Sequence, residues 1–575
     1  MISTANEFIA LPEVNDDLSL DSFNVLSMSQ RGIIEFRGKP LLSASLCIDG
    51  KSPSFSKPSM ERYWVPTIEG ESGSCHVCQR LLAPFGIKGF VQMFTILNNG
   101  DSASSFQASV SLRLDQVLHT VNESKAFEGS VNIYESSWSG KPCLDIRSGF
   151  PIMAFACLDD GDWTWSHDAS SMDGRCEGSL EAGQSLTLGA CWGFGFEEVA
   201  AVTAAKEILR LGMDRVLSDA YERLDSLVIR KPDPRLERLL NSNLLYCMHF
   251  ATGRTLDTEA LVCVTSRSPR YYVSAAYWDR DSLLWAFPAI LKADSSLALE
   301  MLEYSFRTQG RNVGIHSRYI DGTVLEYGFE LDELVAPIIA LDQYISATEE
   351  EALLKQDWVA SQLKRIIRIL EKKLDRSCGL YETFLQPSDD MHTYVFLTYD
   401  NALVYKALCI LGKWGFDGQK ELWLKRAGEL MSSIERHCIR ASMYVWSVDG
   451  KGNYDIYDEP PGSLLLLPLL GITSIDNPVY RKTAARILDP SYEFSFASYP
   501  FGAIGCKHAP HPWVLSLANQ VKVLGDRSAL EKLLKAPMDN YIACESIDEN
   551  TGTCTTGSAF ATCAGFLASA LMERC

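Results

Sequence analysis

Four segments of this 575-residue chain gather side chains that could do chemistry, and all four lie beyond residue 270. The first, YYVSAAYWDRDSLLWAFP (271–288), sets Tyr277 and Trp278 beside Arg280 and Asp281, just ahead of an apolar run. Trp278 offers a flat apolar face to a sugar ring. Arg280 and Asp281 offer a donor fork and an acceptor pair suited to vicinal hydroxyls. A helix cap at Asp281 and Ser282, with Arg280 as its salt-bridge partner, is the competing reading. The second segment, HSRYIDGTVLEYGFELDELVAPIIAL (316–341), carries Glu330, Asp332 and Glu333 at the start of an apolar helix. The helix dipole explains part of that cluster. Three carboxyls so close also raise one another's cost of ionisation, and a buried one is suited to a general acid.

In the third segment (443–471) Asp458 and Glu459 precede Pro460 and Pro461, so a sugar contact competes with a simple structural start. The fourth (541–571) holds Glu545 in a loop closed by Asp548, Asn550, Thr551 and Gly552. Weaker candidates are Asp400, beside Asn401 at the start of a helix, and His508, His511 and Trp513 in GAIGCKHAPHPWVLSL (502–517). Two carboxyls from distant loops suit cleavage of a glycosidic bond. One protonates the departing oxygen while the other activates water on the opposite face, at a separation of roughly 6.5–9.5 Å in an inverting enzyme. The residues alone do not separate Glu330, Asp332 and Glu333 as the acid.

Two kinds of periodicity must position these loops. Up to residue 195, short alternating runs such as SSFQASVSLRL (104–114) and SLTLGACWGFGF (185–196) are broken by Gly, Ser, Asp and Pro, which predicts a β-sandwich. Residues 196–232 read as a helical linker ending at RKPDP (230–234). Residues 233–575 carry roughly twelve candidate helices, 461–471 among them, which fit six helical hairpins closed into an (α/α)6 toroid. The expected class is therefore multidomain β + α.

The formal net charge of −20 repels phosphate backbones and anionic lipid, so neither nucleic acid nor a membrane surface is an expected partner. No leader is expected, because the first residues lack a basic run before an apolar core. The 17 cysteines, odd in number and without framework spacing, suit a reducing cytoplasm. Cys75 and Cys78 form a CxxC without a second pair, and His508 and His511 have no carboxylate beside them in sequence. No metal and no other cofactor is expected.

In this order, the four segments resemble glycoside hydrolase family 125, the exo-α-1,6-mannosidases with an (α/α)6 barrel. WDRDSLLWAFPAIL is similar to that family's aromatic-x-Arg-Asp-Ser segment, and FELDELVAPI to its Glu-x-Asp-Ser-Leu element, whose Asp is the general acid. YDEPPGSLLLLPLLG resembles its acidic pair before Pro-Ser-Leu-Leu-x-Leu-Pro, and CESID its His-Glu-Ser-Phe-Asp element, whose Glu is the base. YWDRDS and ESIDENTGTCTTG also resemble family 15, the glucoamylase and glucodextranase group. Both resemblances imply Asp332 as acid, Glu545 as base, inversion, and exo action on an α-linked oligosaccharide or glycoside ending in mannose or glucose. Cys544 and the sequence Asp458-Glu459-Pro460-Pro461 depart from the family 125 pattern, as does the long N-terminal half. A glycoside phosphorylase on the same architecture is one alternative, and a non-catalytic carbohydrate-binding protein is another.

Overall fold

The computed structural model describes residues 2–160 and 162–574, and the terminal residues 1 and 575 of the expected domains lie outside them. The chain divides into two compact units. The first runs to Val228 and also takes in Thr252–Val262 and Arg267–Ala275; the second holds the rest.

The first unit is built on two nine-stranded antiparallel sheets. Strand Ser104–Arg113 shows why the alternating runs form them. Phe106, Ala108, Val110 and Leu112 point to the core, while Gln107 and Arg113 point to solvent. This strand pairs on one side with 42–48 and on the other with 171–180. Phe23 of one sheet lies 4.9 Å from Phe155 and 5.3 Å from Phe194 of the other, ring to ring, so aromatic side chains fill the space between the sheets.

Strand Ser185–Gly195 does not alternate, because its outer face is covered too. Helix Glu198–Leu211 lies on it. At Gly193 a Cβ atom would fall 2.2 Å from the Ala201 carbonyl oxygen, so only glycine allows the approach. The helices Glu198–Leu211 and Met213–Leu227, read from sequence as a linker, are thus packed into the first unit.

The second unit alternates two kinds of helix. Asp357–Lys373 is amphipathic, burying Val359, Leu363, Ile366, Ile367 and Leu370 at helical spacing. Leu331–Thr348 buries Leu334 through Leu341 on every side. Such all-round burial marks an inner layer, and the same contrast recurs between Thr398–Trp414 and Lys420–His437. Six buried elements touch in a circuit: Arg280–Ala293, Leu331–Thr348, Thr398–Trp414, the turns at 464–466, Val514–Leu524 and Ala561–Arg574, whose last member touches the first.

Two of them depart from expectation. Residues 461–471 form short 3-10 turns instead of a helix, because Pro460, Pro461 and Pro468 supply no N–H and Gly462 costs backbone entropy. The element at 280 begins as a π-turn over Arg280–Ala286, and Pro288 has no N–H to return to Leu284.

Candidate active site

Arg280 is the hub around which the site is assembled. Its side chain is 2% exposed. Nη2 donates to Glu330 Oε2 at 2.7 Å and to Asp389 Oδ1 at 2.9 Å, and Nη1 donates to the Pro387 carbonyl at 2.8 Å. Nε lies 3.4 Å from Asp332 Oδ2. Two separate segments, 330–332 and 387–389, therefore converge on one guanidinium.

The helix start at 331 sorts the three neighbouring acids by direction. Glu330, in extended conformation just before the helix, faces Arg280 and accepts from His316 Nδ1. Glu333 turns back and accepts from the backbone N–H groups of Asp279 and Arg280, so it caps the π-turn. Asp332 Oδ1 accepts from the Glu333 N–H at 2.8 Å, while Oδ2 is buried with no hydrogen-bond donor on it. Burial raises all three carboxyls, Glu330 to about 7 against the opposing pull of Arg280 and His316. Burial also pulls His316 down, but its hydrogen bonds to Glu326 and Glu330 outweigh this and hold the imidazole up at about 10.

A second cluster forms around Glu545. The Glu545 N–H donates to the Gly557 carbonyl at 3.2 Å, and its own carbonyl accepts from the Val514 N–H at 3.2 Å. Oε1 sits 3.4 Å from His508 Nε2, and His508 Nδ1 is 2.9 Å from Asp390 Oδ2. Burial pulls His508 down, but hydrogen bonds to Asp390 and Glu545 bring it up to about 10. Trp513, with its indole N–H on the Ala509 carbonyl at 3.1 Å, packs edge-on against His508.

Asp389 and Asp390 are consecutive, so the two clusters share one loop. Glu459 braces it, accepting from Ser388 Oγ at 2.7 Å, the Ser388 N–H at 2.8 Å and Gln386 Nε2 at 2.8 Å.

Several expected sugar contacts also make contacts within the protein. The Tyr277 hydroxyl donates to Asp279 at 2.6 Å, within a support completed by Arg318 at 2.5 Å. Asp458 accepts from Ser463 Oγ at 2.7 Å and the Leu464 N–H at 2.8 Å, which fastens its own turn. His511 Nδ1 pairs with Glu549 at 3.0 Å, and its ring stacks on Phe496. Asp281 accepts from Thr562 at 2.7 Å, and burial pushes it up to about 7. Asp400 is buried at a helix start, and burial together with the charges of Asp332 and Glu330 holds its carboxyl well above the usual range. Trp278 keeps a buried indole N–H with no acceptor and lies edge-on to His316.

Sequence reasoning missed His316, Arg318, Asp389 and Asp390, and gave His508 only as one of the weaker pocket candidates. The one local signal was the acidic pair in QPSDD (386–390). Among the described residues two groups could be read as metal ligands, His316 with Glu330 and Asp389, and Glu330 with Asp332 and Glu333. Arg280 already supplies a cation to both.

Arg280→Met removes that cation from a buried acidic cluster, and a loss of about 3–5 kcal/mol of folding stability is expected at pH 8. The loss should shrink at pH 5. The orphaned carboxyls, their folded pKa raised still further, then hold protons and no longer carry buried charge. Urea unfolding at the two pH values measures both, and equal losses would reject the electrostatic account.

Gly557 fixes the position of Glu545. It adopts φ +59°, and a Cβ there would fall 2.4 Å from Glu545 Cβ. Gly557→Ala is expected to cost about 1–2 kcal/mol in backbone strain and to lower kcat about ten- to a hundredfold by displacing the carboxylate. Unchanged turnover in a folded variant would show that Glu545 tolerates the shift.

Comparison with known proteins bears on the family and the fold. Residues 372–572 match the family described as metal-independent alpha-mannosidase (GH125). The meiotically up-regulated gene 157 protein of Schizosaccharomyces pombe is 23% identical over 414 residues, which cover 58% of this chain and 78% of that protein. A bacterial glucoamylase solved with acarbose aligns over 100% of this chain and 95% of its own, with TM-score 0.62 and 12% identity. A Streptococcus pneumoniae protein, from a new family of metal-independent alpha mannosidases and solved with alpha-1,6-mannobiose, covers 64% of this chain and 98% of its own, with TM-score 0.51 and 17% identity. A putative kojibiose phosphorylase from human microbiome covers 99% and 86%, with TM-score 0.58 and 10% identity. These structures share the fold. The family match over residues 372–572 marks the chain as a glycoside hydrolase that resembles the GH125 enzymes.

Proposed function

We propose that this chain removes a terminal sugar, mannose in the first instance, from short α-linked oligosaccharides or glycosides, with inversion at the anomeric carbon. The observation that carries this reading is the run of contacts from Asp332 through Arg280 to Asp389, and from Asp390 through His508 to Glu545. It brings the two candidate carboxyls to one loop cluster. The family match supports mannose over glucose.

Asp332 is the general acid. Its donor-free Oδ2 carries the proton, and burial keeps that proton bound above the usual carboxyl range. Glu545 is the general base that activates water, held beside the imidazolium of His508. Arg280, Asp281 and Trp278 line the terminal-sugar end, with the unsatisfied indole N–H of Trp278 available to a hydroxyl oxygen.

The scaffold is an (α/α)6 toroid. Its support is the closed circuit of six buried elements, together with one cavity lined by a residue from each: Trp285, Ile339, Leu403, Leu466, Lys522 and Phe566.

The test is hydrolysis of aryl α-mannoside, α-glucoside and α-galactoside, then of α-linked disaccharides, with proton NMR of the first sugar released. β-Mannose is the expected first product. α-Mannose would reject inversion, sugar 1-phosphate formed in phosphate buffer would move the chain to the phosphorylases, and no turnover of any substrate would reject the enzyme.

A further inference from the structure

The cavity lined by all six buried elements has a volume of about 580 Å³, within the range of roughly 300–1,000 Å³ typical of small-molecule sites. On helix Leu331–Thr348 it opens at the end opposite Asp332, while Leu284, Trp285 and Tyr399 carry its wall back toward Arg280 and Asp400. Asp332 is in the first turn of helix Leu331–Thr348, whereas Asp342, Ser346 and Ala347 at the other end line the cavity, roughly 20 Å farther along at 1.5 Å per residue.

Its walls are apolar and aromatic, with Trp285, Leu403, Leu466 and Phe566 among them. Its charges do not balance. Lys292, Lys406 and Lys522 line it against Asp342 and Glu573. Both carboxylates are engaged, Asp342 by Lys413 at 2.8 Å, and Glu573 by Lys292 at 3.3 Å and Lys522 at 3.5 Å. Lys406, half-buried in the cavity wall, has no ion pair among the described residues. An apolar chamber with one ammonium group lacking a counter-charge is complementary to an organic anion with a hydrophobic body.

We propose that this cavity is a second ligand site, separate from the hydrolytic centre, for an amphipathic monocarboxylate whose carboxylate pairs with Lys406 and whose apolar body lies along Trp285, Leu403 and Phe566. The site needs no catalytic step. It stands or falls independently of the glycosidase reading, because its test is binding.

Calorimetric titration of the full chain with decanoate is the experiment, with n-decanol as the uncharged probe of the same length. Saturable binding of one decanoate per chain is expected, with decanol bound at least about tenfold more weakly, since a charge-assisted contact is lost. Lys406→Gln should weaken decanoate about tenfold and leave decanol unchanged, with hydrolysis at the other site unaltered. Ala347→Trp, at an exposed position on the cavity mouth, should weaken both probes and guards against a folding defect at Lys406. No saturable decanoate binding by the native chain would overturn the proposal. Equal affinity for the two probes, or unchanged decanoate affinity in Lys406→Gln, would do the same.

Discussion

Asp332→Asn is expected to lower kcat on an alkyl α-mannoside at least about a hundredfold while the chain stays folded. The amide keeps an oxygen to accept from the Glu333 N–H, so the helix start survives the change. What it loses is the proton on the second oxygen, the one with no donor of its own. An alkoxide cannot depart without that proton. A dinitrophenolate can, so the loss should shrink to less than about tenfold on an activated aryl glycoside. A purely structural role for Asp332 would depress both substrates alike.

The pH profile adds a second readout. Burial raises the Asp332 carboxyl, and the proposed general acid acts only in its protonated form. Wild-type turnover on the alkyl substrate should therefore fall as pH rises through that raised pKa. The residual activity of Asp332→Asn should lack this alkaline limb. Full activity of the variant on the alkyl glycoside would remove Asp332 from the mechanism and return the role to Glu330 or Glu333.

Much of the scaffold was legible because burial writes a period into the sequence. The alternation of 104–114 and the helical spacing at 357–373 each report which side of an element meets the core. Elements covered on every side lose that signal, as helix Leu331–Thr348 does, and there only length and the flanking breakers tell strand from helix. The stretch 461–471 misled for a different reason. Its leucines are buried, but prolines and a glycine forbid the helix that their composition suggests.

The site was legible in part. Arg280, Asp332 and Glu545 stood out because polar residues beside apolar helix starts are conspicuous. Asp389 and Asp390 did not, since their loop acquires its role only through partners roughly a hundred residues away on either side, Arg280 and His508. Likewise Glu330, Asp332 and Glu333 are equivalent in a string of letters. They part company only once the helix begins at Leu331 and points each side chain in its own direction.

Glu545→Gln is the second large effect expected, again at least about a hundredfold in kcat, and this time on alkyl and aryl substrates alike. Water must be deprotonated whichever leaving group departs, so a better leaving group gives no relief. Shortening the side chain to Glu545→Ala opens room for a small anion between His508 and the hairpin ending at Gly557. Azide, which needs no deprotonation, should then restore turnover on the aryl α-mannoside, attack from the face that water uses, and form the new bond to the anomeric carbon as the aryl oxide leaves. The product is a β-mannosyl azide. An α-azide would mean that the nucleophile enters from the side of the leaving group, and Glu545 could not then be the group that directs water. Turnover unaffected by either substitution would leave the carboxyl at Asp332 without an opposite number, and the loop at 386–390 joining two sites that share no reaction.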